Sequence, residues 1–192
     1  MMAAVSSVNP SPDARVALSE LAKAAARRLI VLEARTWLGT PYHHRAALKG
    51  VGCDCLGLVR GVWQAVFGLQ VPDLPSYTGD WGDVTGIEAL FDGLARHLDE
   101  VDPSKAQAGD ILVFRIRPGR VAKHCGIMTG QARFIHAWES TPVAETTLSL
   151  WWERRLVAAF PAPGLTPAAL EGSDALEGSA ALAGPAALEG PV

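Results

Sequence analysis

Residues 53–68 read Cys53-Asp-Cys-Leu-Gly-Leu-Val-Arg-Gly-Val-Trp-Gln-Ala-Val-Phe-Gly68 and predict the best-defined helix of the chain. From Cys55, apolar side chains recur at i+3, i+4, i+7 and i+8, which is the spacing of one helical face. Gly68 suits the left-handed conformation in which many helices end. The N-cap is expected at Asp54 or Cys53. Cys55 is therefore predicted to lie in the first turn of a helix.

Two more helices are predicted, one on either side of this one. The first runs from about Ser19, a candidate N-cap, to Leu38, and Gly39 and Pro41 stop it. The other is amphipathic and spans residues 87–98. In the second half of the chain the apolar period changes from 3.6 to 2, and this predicts strands at 110–116, 125–129, 132–138 and 155–160. Helices followed by strands predict an α+β fold with a mostly antiparallel sheet.

Composition divides the chain into three segments. Residues 1–18 are small and polar and are predicted to form a loosely ordered arm, whereas residues 19–160 suit one domain. Residues 161–192 are rich in Ala, Gly, Pro and Glu, and four hexapeptides with one leucine each repeat over residues 168–191. Two interpretations of this tail stay open. It is either a flexible tether or a docking strip whose spaced leucines bind a partner.

Charge and hydropathy exclude several classes of protein. The formal charge is −3 for the whole chain and +1 for residues 1–160, too weak a positive field for nucleic-acid binding. The sequence contains no run of about 20 apolar residues, so no membrane span is predicted. The first fifteen residues lack the basic and apolar pattern of a signal peptide, which predicts synthesis in the cytoplasm. Three cysteines are too few for a disulfide framework.

Cys55 is the first candidate for chemistry. At a helix start, free backbone N–H groups and the positive end of the helix dipole lower the pKa of a thiol and populate its nucleophilic thiolate. The alternative is that Cys55 is a small buried apolar residue, the commoner role of a lone cysteine. A reactive role therefore depends on further partners.

His124 and His136 are the candidate partners, because they flank a turn signal at Gly130. A three-residue loop centred on Gly130 would pair His124 directly with His136 and place both on one face of a hairpin. A two-residue loop would pair His136 with Cys125 and place the histidines on opposite faces. In the first register, Cys55, His124 and His136 form a nucleophile, a base and an orienting group.

Five segments resemble, in the same order, the successive motifs of the NlpC-type cell-wall peptidases. They are Gly39-Thr-Pro-Tyr42, Asp54-Cys-Leu-Gly-Leu-Val59, Gly109-Asp-Ile-Leu-Val-Phe114, His124-Cys-Gly-Ile-Met-Thr-Gly130 and Phe134-Ile-His-Ala137. The resemblance covers about residues 27–160. It implies a papain-like cysteine peptidase core, with the nucleophile at a helix start packed on the sheet. It also implies hydrolysis of peptidoglycan stem peptides between D-glutamate and the following diamino acid, with no cofactor or metal.

The resemblance implies a role for each matching residue. Cys55 matches the nucleophile, His124 the base and His136 the third polar residue. Tyr42 matches a tyrosine beside the nucleophile that helps to hold the oxyanion, and Asp54 supports the helix start.

A finer resemblance comes from His43-His-Arg45 followed by Val51-Gly-Cys-Asp-Cys55, which is similar to short proteins encoded among phage tail and gene-transfer-agent genes. It implies a component of a phage-like tail particle that opens the cell wall for DNA delivery. The expected partners are the peptidoglycan substrate and tail hub or baseplate proteins. One alternative is a catalytically silent structural subunit of such a hub. Another is acyl transfer or an amidase reaction on a different substrate.

Substrate contacts are indicated less sharply. Arg117 belongs to a basic group around Pro118-Gly119, which either attracts stem-peptide carboxylates or is a solvated loop. Tyr77 and Trp81 lie in a long loop rich in Pro and Gly, and they either wall a groove or pin the loop to the domain.

Two further cysteines, Cys53 and Cys125, depart from the family, which usually has small residues at these positions. They either only pack or make the site sensitive to oxidation. A zinc module of Cys53, Cys55, His124, Cys125 and His136 is a further alternative. The single residue between Cys53 and Cys55 argues against it, because structural zinc sites favour ligands two to four residues apart.

Overall fold

The computed structural model describes residues 11–68 and 86–162, in which helices pack against an antiparallel sheet. The predicted α+β fold class is confirmed. No helix within these ranges is long and apolar enough to cross a membrane. Tyr77, Trp81 and the repeats of residues 168–191 lie outside the described residues.

Within the described ranges the helices are α1 (Pro12–Arg35), α2 (Cys55–Phe67), α3 (Ala89–Ala95) and α4 (Leu150–Glu153), with a 3-10 turn at Pro103–Lys105. The strands are β1 (Ala47–Leu48), β2 (Gly52–Cys53), β3 (Ile111–Phe114), β4 (His124–Gly130), β5 (Arg133–His136), β6 (Ala144–Thr147) and β7 (Leu156–Phe160). β1 and β2 form a small ladder. The other strands form one sheet in the order β6-β5-β4-β3-β7, in which every neighbouring pair is antiparallel.

Helix α1 begins at Pro12, seven residues before the predicted start, so Ser19 is not its N-cap and residues 12–18 are helical. Proline is well tolerated in the first turn of a helix because the N–H it lacks would have no partner there. The inner side of α1 buries Ile30 and Ala34 in the core. Its outer side exposes four leucines to solvent, Leu18, Leu21, Leu29 and Leu32.

Helix α2 has the predicted boundaries. Asp54 is the N-cap and accepts a hydrogen bond from the N–H of Gly57, and Gly68 closes the helix in the left-handed conformation at φ 66°. Its apolar face, with Leu58, Val59 and Val62, is almost fully buried. Helix α3 is shorter than its amphipathic pattern predicts, Ala89–Ala95 instead of 87–98.

The sheet is covered on both faces. Along β3, Ile111 and Val113 belong to a large core cluster that also includes buried residues of α1, α2 and α3. Leu112 and Phe114 belong to a second cluster, which Trp152 of α4 covers from the other side. β3 is therefore a continuous apolar run, which is typical of a strand buried on both faces. The predicted strand 110–116 is confirmed in its central four residues.

Candidate active site

Cys55 is the first residue of α2, as predicted. Asp54 holds the start of this helix through both carboxylate oxygens: Oδ1 accepts from the N–H of Gly57 at 2.8 Å and Oδ2 from the N–H of Arg45 at 2.7 Å. One buried side chain thus joins the first turn of α2 to the loop before it. The Cys55 sulfur lies half-buried at this point, 3.9 Å from the carbonyl oxygen of Lys123.

Gly57 allows the loop before α2 to approach the helix closely. A Cβ at this position would lie 1.9 Å from the carbonyl oxygen of Ala46, which is backbone and has little freedom to move. The N–H of Asp54 also donates to the same Ala46 carbonyl at 3.2 Å. The glycine of the Asp-Cys-Leu-Gly motif is therefore required by packing.

Gly57→Ala is expected to destabilise the fold by about 3 kcal/mol, because the added methyl must displace the backbone of the loop. Denaturant unfolding of the purified protein measures this difference. Gly130→Ala is the matched control, since nothing lies within 4 Å of a Cβ built there. Equal unfolding midpoints for the two variants would contradict the packing argument.

Tyr42 is placed near Cys55 by backbone pairing. It forms an isolated parallel bridge with Cys53, the N–H of Cys53 donates to the Pro41 carbonyl at 3.0 Å, and the N–H of His43 donates to the Cys53 carbonyl at 3.0 Å. Tyr42 and Cys55 line the same pocket. Burial, with smaller effects of nearby negative charge, raises the pKa of Tyr42 to about 12. Its hydroxyl therefore keeps its proton at neutral pH and is available as a donor.

The β4–β5 hairpin has a different register from either of the predicted ones. Ile127 lies opposite Ile135, and the two-residue loop Gln131-Ala132 connects the strands. Ala132 takes the left-handed conformation, at φ 52°, whereas Gly130 is not among the residues with positive φ. The predicted three-residue loop centred on Gly130 is therefore wrong, and so is the direct pairing of His124 with His136.

A β-bulge nevertheless places both histidines on one face. At the turn Gly130 pairs with Arg133, and this register alone would point the two histidines to opposite faces. The register shifts by one residue between Met128 and Gly130, which restores the common face. His136 consequently packs over Gly126, where a Cβ would come within 3.1 Å of the His136 Cβ.

A chain of hydrogen bonds runs across three strands behind Cys55. His124 Nε2 lies 2.9 Å from His136 Nδ1, and His136 Nε2 lies 3.0 Å from Thr146 Oγ1 on β6. Both histidines are buried. Burial, and secondarily the positive charge of His124, lowers the pKa of His136 to about 3. His136 is therefore neutral at physiological pH and carries a single ring proton.

Aromatic side chains hold the His124 ring in place. Its centroid lies 4.9 Å from that of Trp138, 5.6 Å from Trp152 and 5.9 Å from Phe114. Because His124 Nε2 faces His136, Nδ1 is the ring nitrogen left for Cys55. The predicted grouping of Cys55, His124 and His136 is thus present as a geometric arrangement.

The Cys55 sulfur has two side-chain partners. Hydrogen bonds from Cys125 and from His124 lower the pKa of the Cys55 thiol well below its ordinary value, against the effects of burial and of the Asp54 charge. The pKa of Cys125 is raised by the same hydrogen bond and by burial, and burial raises the pKa of Cys53 to about 12. Of the three cysteines, Cys55 is therefore the one whose thiol ionises most readily.

Alkylation of Cys55 by iodoacetamide is expected to stay fast at neutral pH and to slow only as the pH falls through the lowered pKa. An ordinary thiol, with a pKa of about 8.5, would instead gain about tenfold in rate per pH unit below that value. Peptide mass spectrometry measures each cysteine separately. Cys53 and Cys125 are fully buried and are internal controls in the folded protein. A tenfold rise per pH unit at Cys55 would contradict the thiolate.

A pocket of about 440 Å³ opens over this arrangement, and Tyr42, Cys55 and His124 line it. Arg117, a candidate substrate contact in the sequence, also lines it, together with Arg120, Lys123, Trp138 and Glu139. Tyr77 and Trp81, the other two predicted substrate contacts, lie outside the described residues. The pocket therefore combines a thiol, an imidazole and a cationic wall.

Glu88 anchors the loop that carries this cationic wall. Its Oε1 accepts from Arg115 Nη2 at 2.6 Å, and its Oε2 accepts from the N–H of Ala122 at 2.7 Å. One carboxylate thus holds both ends of the segment 116–121. Sequence reasoning missed Glu88 and Thr146, because both meet the site through contacts distant along the chain and neither belongs to a recognisable motif.

Among residues 11–68 and 86–162, no group of three or more His, Cys, Asp and Glu side chains is arranged to hold a metal ion. Of the five candidate ligands of the zinc alternative, His124 and His136 are directed to each other, and the second ring nitrogen of His136 is directed to Thr146. These contacts suit acid–base chemistry better than metal coordination.

Comparison with known proteins gives one matching family and several relatives of similar sequence. The model of the NlpC/P60 family matches residues 39–160. The chain is 27% identical over 128 residues to the gamma-DL-glutamyl hydrolase of Bacillus subtilis strain 168, covering 66% of this chain and 27% of that protein. It is 27% identical over 120 residues to the murein DD-endopeptidase MepS/murein LD-carboxypeptidase of Escherichia coli strain K12, covering 62% and 54%. The chain thus spans between about a quarter and about half of the length of these relatives.

A solved structure has a similar fold. The crystal structure of the NlpC/p60 domain of the peptidoglycan hydrolase SagA superposes with a TM-score of 0.52 at 25% sequence identity. The similarity covers 71% of this chain and 98% of that domain.

Proposed function

Because the chain belongs to the NlpC/P60 family of cell-wall cysteine peptidases, we propose that it hydrolyses amide bonds of peptidoglycan stem peptides with Cys55 as nucleophile and His124 as base. The observation that carries the proposal is the pocket that Cys55 and His124 both line, with His136 Nδ1 2.9 Å from Nε2 of the His124 ring. A thiolate, an imidazole and an orienting group are the parts that cysteine hydrolases require.

The proposed reaction passes through a thioester. The Cys55 thiolate attacks the carbonyl carbon of the scissile amide, and the resulting oxyanion is held by the backbone N–H of Cys55 and the hydroxyl of Tyr42. The C–N bond breaks as the His124 imidazolium gives its proton to the leaving amine. His124 then takes a proton from water, the hydroxyl attacks the thioester, and the C–S bond breaks to restore the thiolate. His136 keeps the His124 ring in its working orientation throughout.

The proposed bond lies between D-glutamate and the following diamino acid. The name of the Bacillus subtilis relative, a gamma-DL-glutamyl hydrolase, supports a glutamyl bond, and Arg117 at the pocket offers a cation to the free carboxylates of stem peptides. The name of the Escherichia coli relative describes different bonds, DD and LD. Because a fold does not determine which bond is cleaved, the digestion products have to distinguish the glutamyl bond from the DD and LD bonds.

Digestion of purified sacculi by the full chain, followed by mass spectrometry of the released fragments, tests this specificity. Fragments that end at D-glutamate and new amino termini on the diamino acid are expected. Arg117→Gln is expected to raise KM for stem peptides more than it lowers kcat, because it removes a binding charge and leaves Cys55 and His124 in place. Cleavage at another bond would contradict the glutamyl specificity while leaving the peptidase intact.

We further propose that the protein is a component of a phage-like tail particle and opens the wall for DNA delivery. The support is the resemblance of residues 43–45 and 51–55 to proteins encoded among tail genes. Proteomics of purified particles is expected to find this chain beside hub or baseplate proteins. Its absence from particles would contradict the role. Its presence in particles whose sacculus-digesting activity is unchanged by Cys55→Ser would favour the silent structural subunit.

A further inference from the structure

Thr146 lies at the far end of the hydrogen-bonded chain that starts at Cys55. It belongs to β6, the edge strand of the sheet, and its Oγ1 lies 3.0 Å from His136 Nε2. Thr146 lies opposite Phe134, which belongs to the neighbouring strand β5. His136 follows Phe134 by two residues in β5 and therefore lies on the same face of that strand. Thr146 is not among the residues that line the pocket, so it has no direct contact with a substrate there.

We propose that Thr146 is a positioning residue, whose oxygen accepts the Nε2–H of His136 and thereby stabilises the imidazolium form of His124 beside the Cys55 thiolate. The inference rests on the proposed roles of Cys55 and His124. It adds a fourth group to them, and this group acts only through His136.

Proton positions along the chain follow from the charge on His124. When His124 has taken the Cys55 proton, both of its ring nitrogens carry hydrogen, so Nε2–H must donate to His136 Nδ1. A neutral His136 that accepts at Nδ1 carries its one proton on Nε2. This Nε2–H points at Thr146 Oγ1, which accepts it. In the ion-pair state the direction of each hydrogen bond is therefore fixed.

A second pattern of protons is possible only when His124 is neutral. If His136 held its proton on Nδ1, it would donate to His124 Nε2, and the His124 proton would lie on Nδ1, facing Cys55. His124 would then be unable to accept the thiol proton. The Thr146 hydroxyl tolerates both patterns, but it is needed as an acceptor in the ion pair, where a buried N–H without a partner costs free energy. Burial keeps His136 neutral, with a pKa of about 3, so the choice of tautomer persists across the working pH range.

Two variants distinguish the effect of the Thr146 hydroxyl oxygen from the effect of the side chain's shape. Thr146→Val removes the acceptor and keeps the branched side chain, whereas Thr146→Ser keeps the oxygen and removes a methyl group. Both substitutions fall on a half-buried residue of an edge strand, and thermal melting of each variant verifies that it is folded.

The decisive measurement is the pH profile of Cys55 alkylation in the absence of substrate. Thr146→Val is expected to raise the apparent pKa of the thiol by about one unit, which is about a tenfold slower alkylation at a pH below both values. Thr146→Ser is expected to stay within about twofold of the unchanged protein, because its hydroxyl still accepts. Identical profiles for all three proteins, or equal shifts in both variants, would overturn the inference.

The other groups that act on the Cys55 charge are unchanged in these variants. They face it from the loop before α2, from the cap of α2, from β4 and from the rim of the pocket: Tyr42, Cys53, Asp54, Cys125, Arg117, Arg120, Lys123 and Glu139. A shift confined to Thr146→Val therefore reports the oxygen and not a general change in the charge around the thiol.

Nitrogen-15 spectra of the histidine rings give a second readout. A proton on Nε2 of His136 at a pH where Cys55 is a thiolate supports the proposed direction, and a proton on Nδ1 overturns it. With an active enzyme, Thr146→Val is also expected to lower kcat about tenfold at constant KM, since Thr146 does not line the pocket. A protein that shows the alkylation shift but digests no sacculi would contradict the proposed peptidase while supporting the role of Thr146.

Discussion

Replacing Cys55 with serine will abolish the clearing of purified sacculi, with a loss in hydrolysis rate of about 10⁴-fold or more. The serine hydroxyl occupies the same place at the start of α2 and still faces His124, but it does not share the lowered pKa of the thiol. Without a thiolate, the first step of the proposed reaction lacks its nucleophile. Zymography, or release of stem-peptide fragments measured by mass spectrometry, determines the loss.

Cys53→Ser is the matched control for this experiment. Cys53 lies two residues earlier and is fully buried, and the pKa of its thiol is raised to about 12. Its replacement is expected to keep most of the activity of a correctly folded enzyme. Equal clearing by the Cys55→Ser protein and the unchanged protein would remove thiol-dependent hydrolysis from consideration.

Replacing His124 with alanine will lower kcat by about 10²- to 10⁴-fold, which is the usual contribution of a well-placed general base. The substitution removes the hydrogen bond that helps to lower the pKa of Cys55, so alkylation of Cys55 near neutral pH will slow as well. The same variant thus changes both turnover and thiolate content. KM is expected to change less than kcat, because the cationic wall of the pocket stays in place.

His97→Ala is the comparison variant, since His97 is exposed and does not line the pocket. The double variant with Cys55→Ser and His124→Ala is expected to be no slower than Cys55→Ser alone, because residues that act as one unit lose their effect together. Additive losses would mean that His124 acts independently of the thiol, contrary to the proposal.

Local sequence signals predicted the boundaries of α2 well. Asp54 as N-cap, Cys55 in the first turn and Gly68 as C-cap are each determined within a few residues, so the sequence was sufficient to place Cys55 at a helix start. The start of α1 was missed because Pro12 is acceptable in a first turn, and the outward side of the helix is apolar and gives no clear periodicity.

Longer-range geometry was predicted only in part. The common face of His124 and His136 was expected from a three-residue loop, and it arises from a two-residue loop combined with a bulge. A bulge depends on how two strands pack, and it leaves no simple mark in the sequence. β6 was missed because three of its four residues, Glu-Thr-Thr, are polar and all four are at least partly exposed, so only their pairing with β5 makes them a strand. The partner of His136 was missed with it.

The four outward leucines of α1 have a consequence for handling the protein in solution. They form an exposed apolar patch on the solvent-facing side of α1. The opposite side of this helix packs in the core, so the four leucines add little to the stability of the fold. Concentrated samples are expected to associate through this apolar patch. Glutamate or lysine at these four positions is expected to improve solubility at little cost to the stability of the fold.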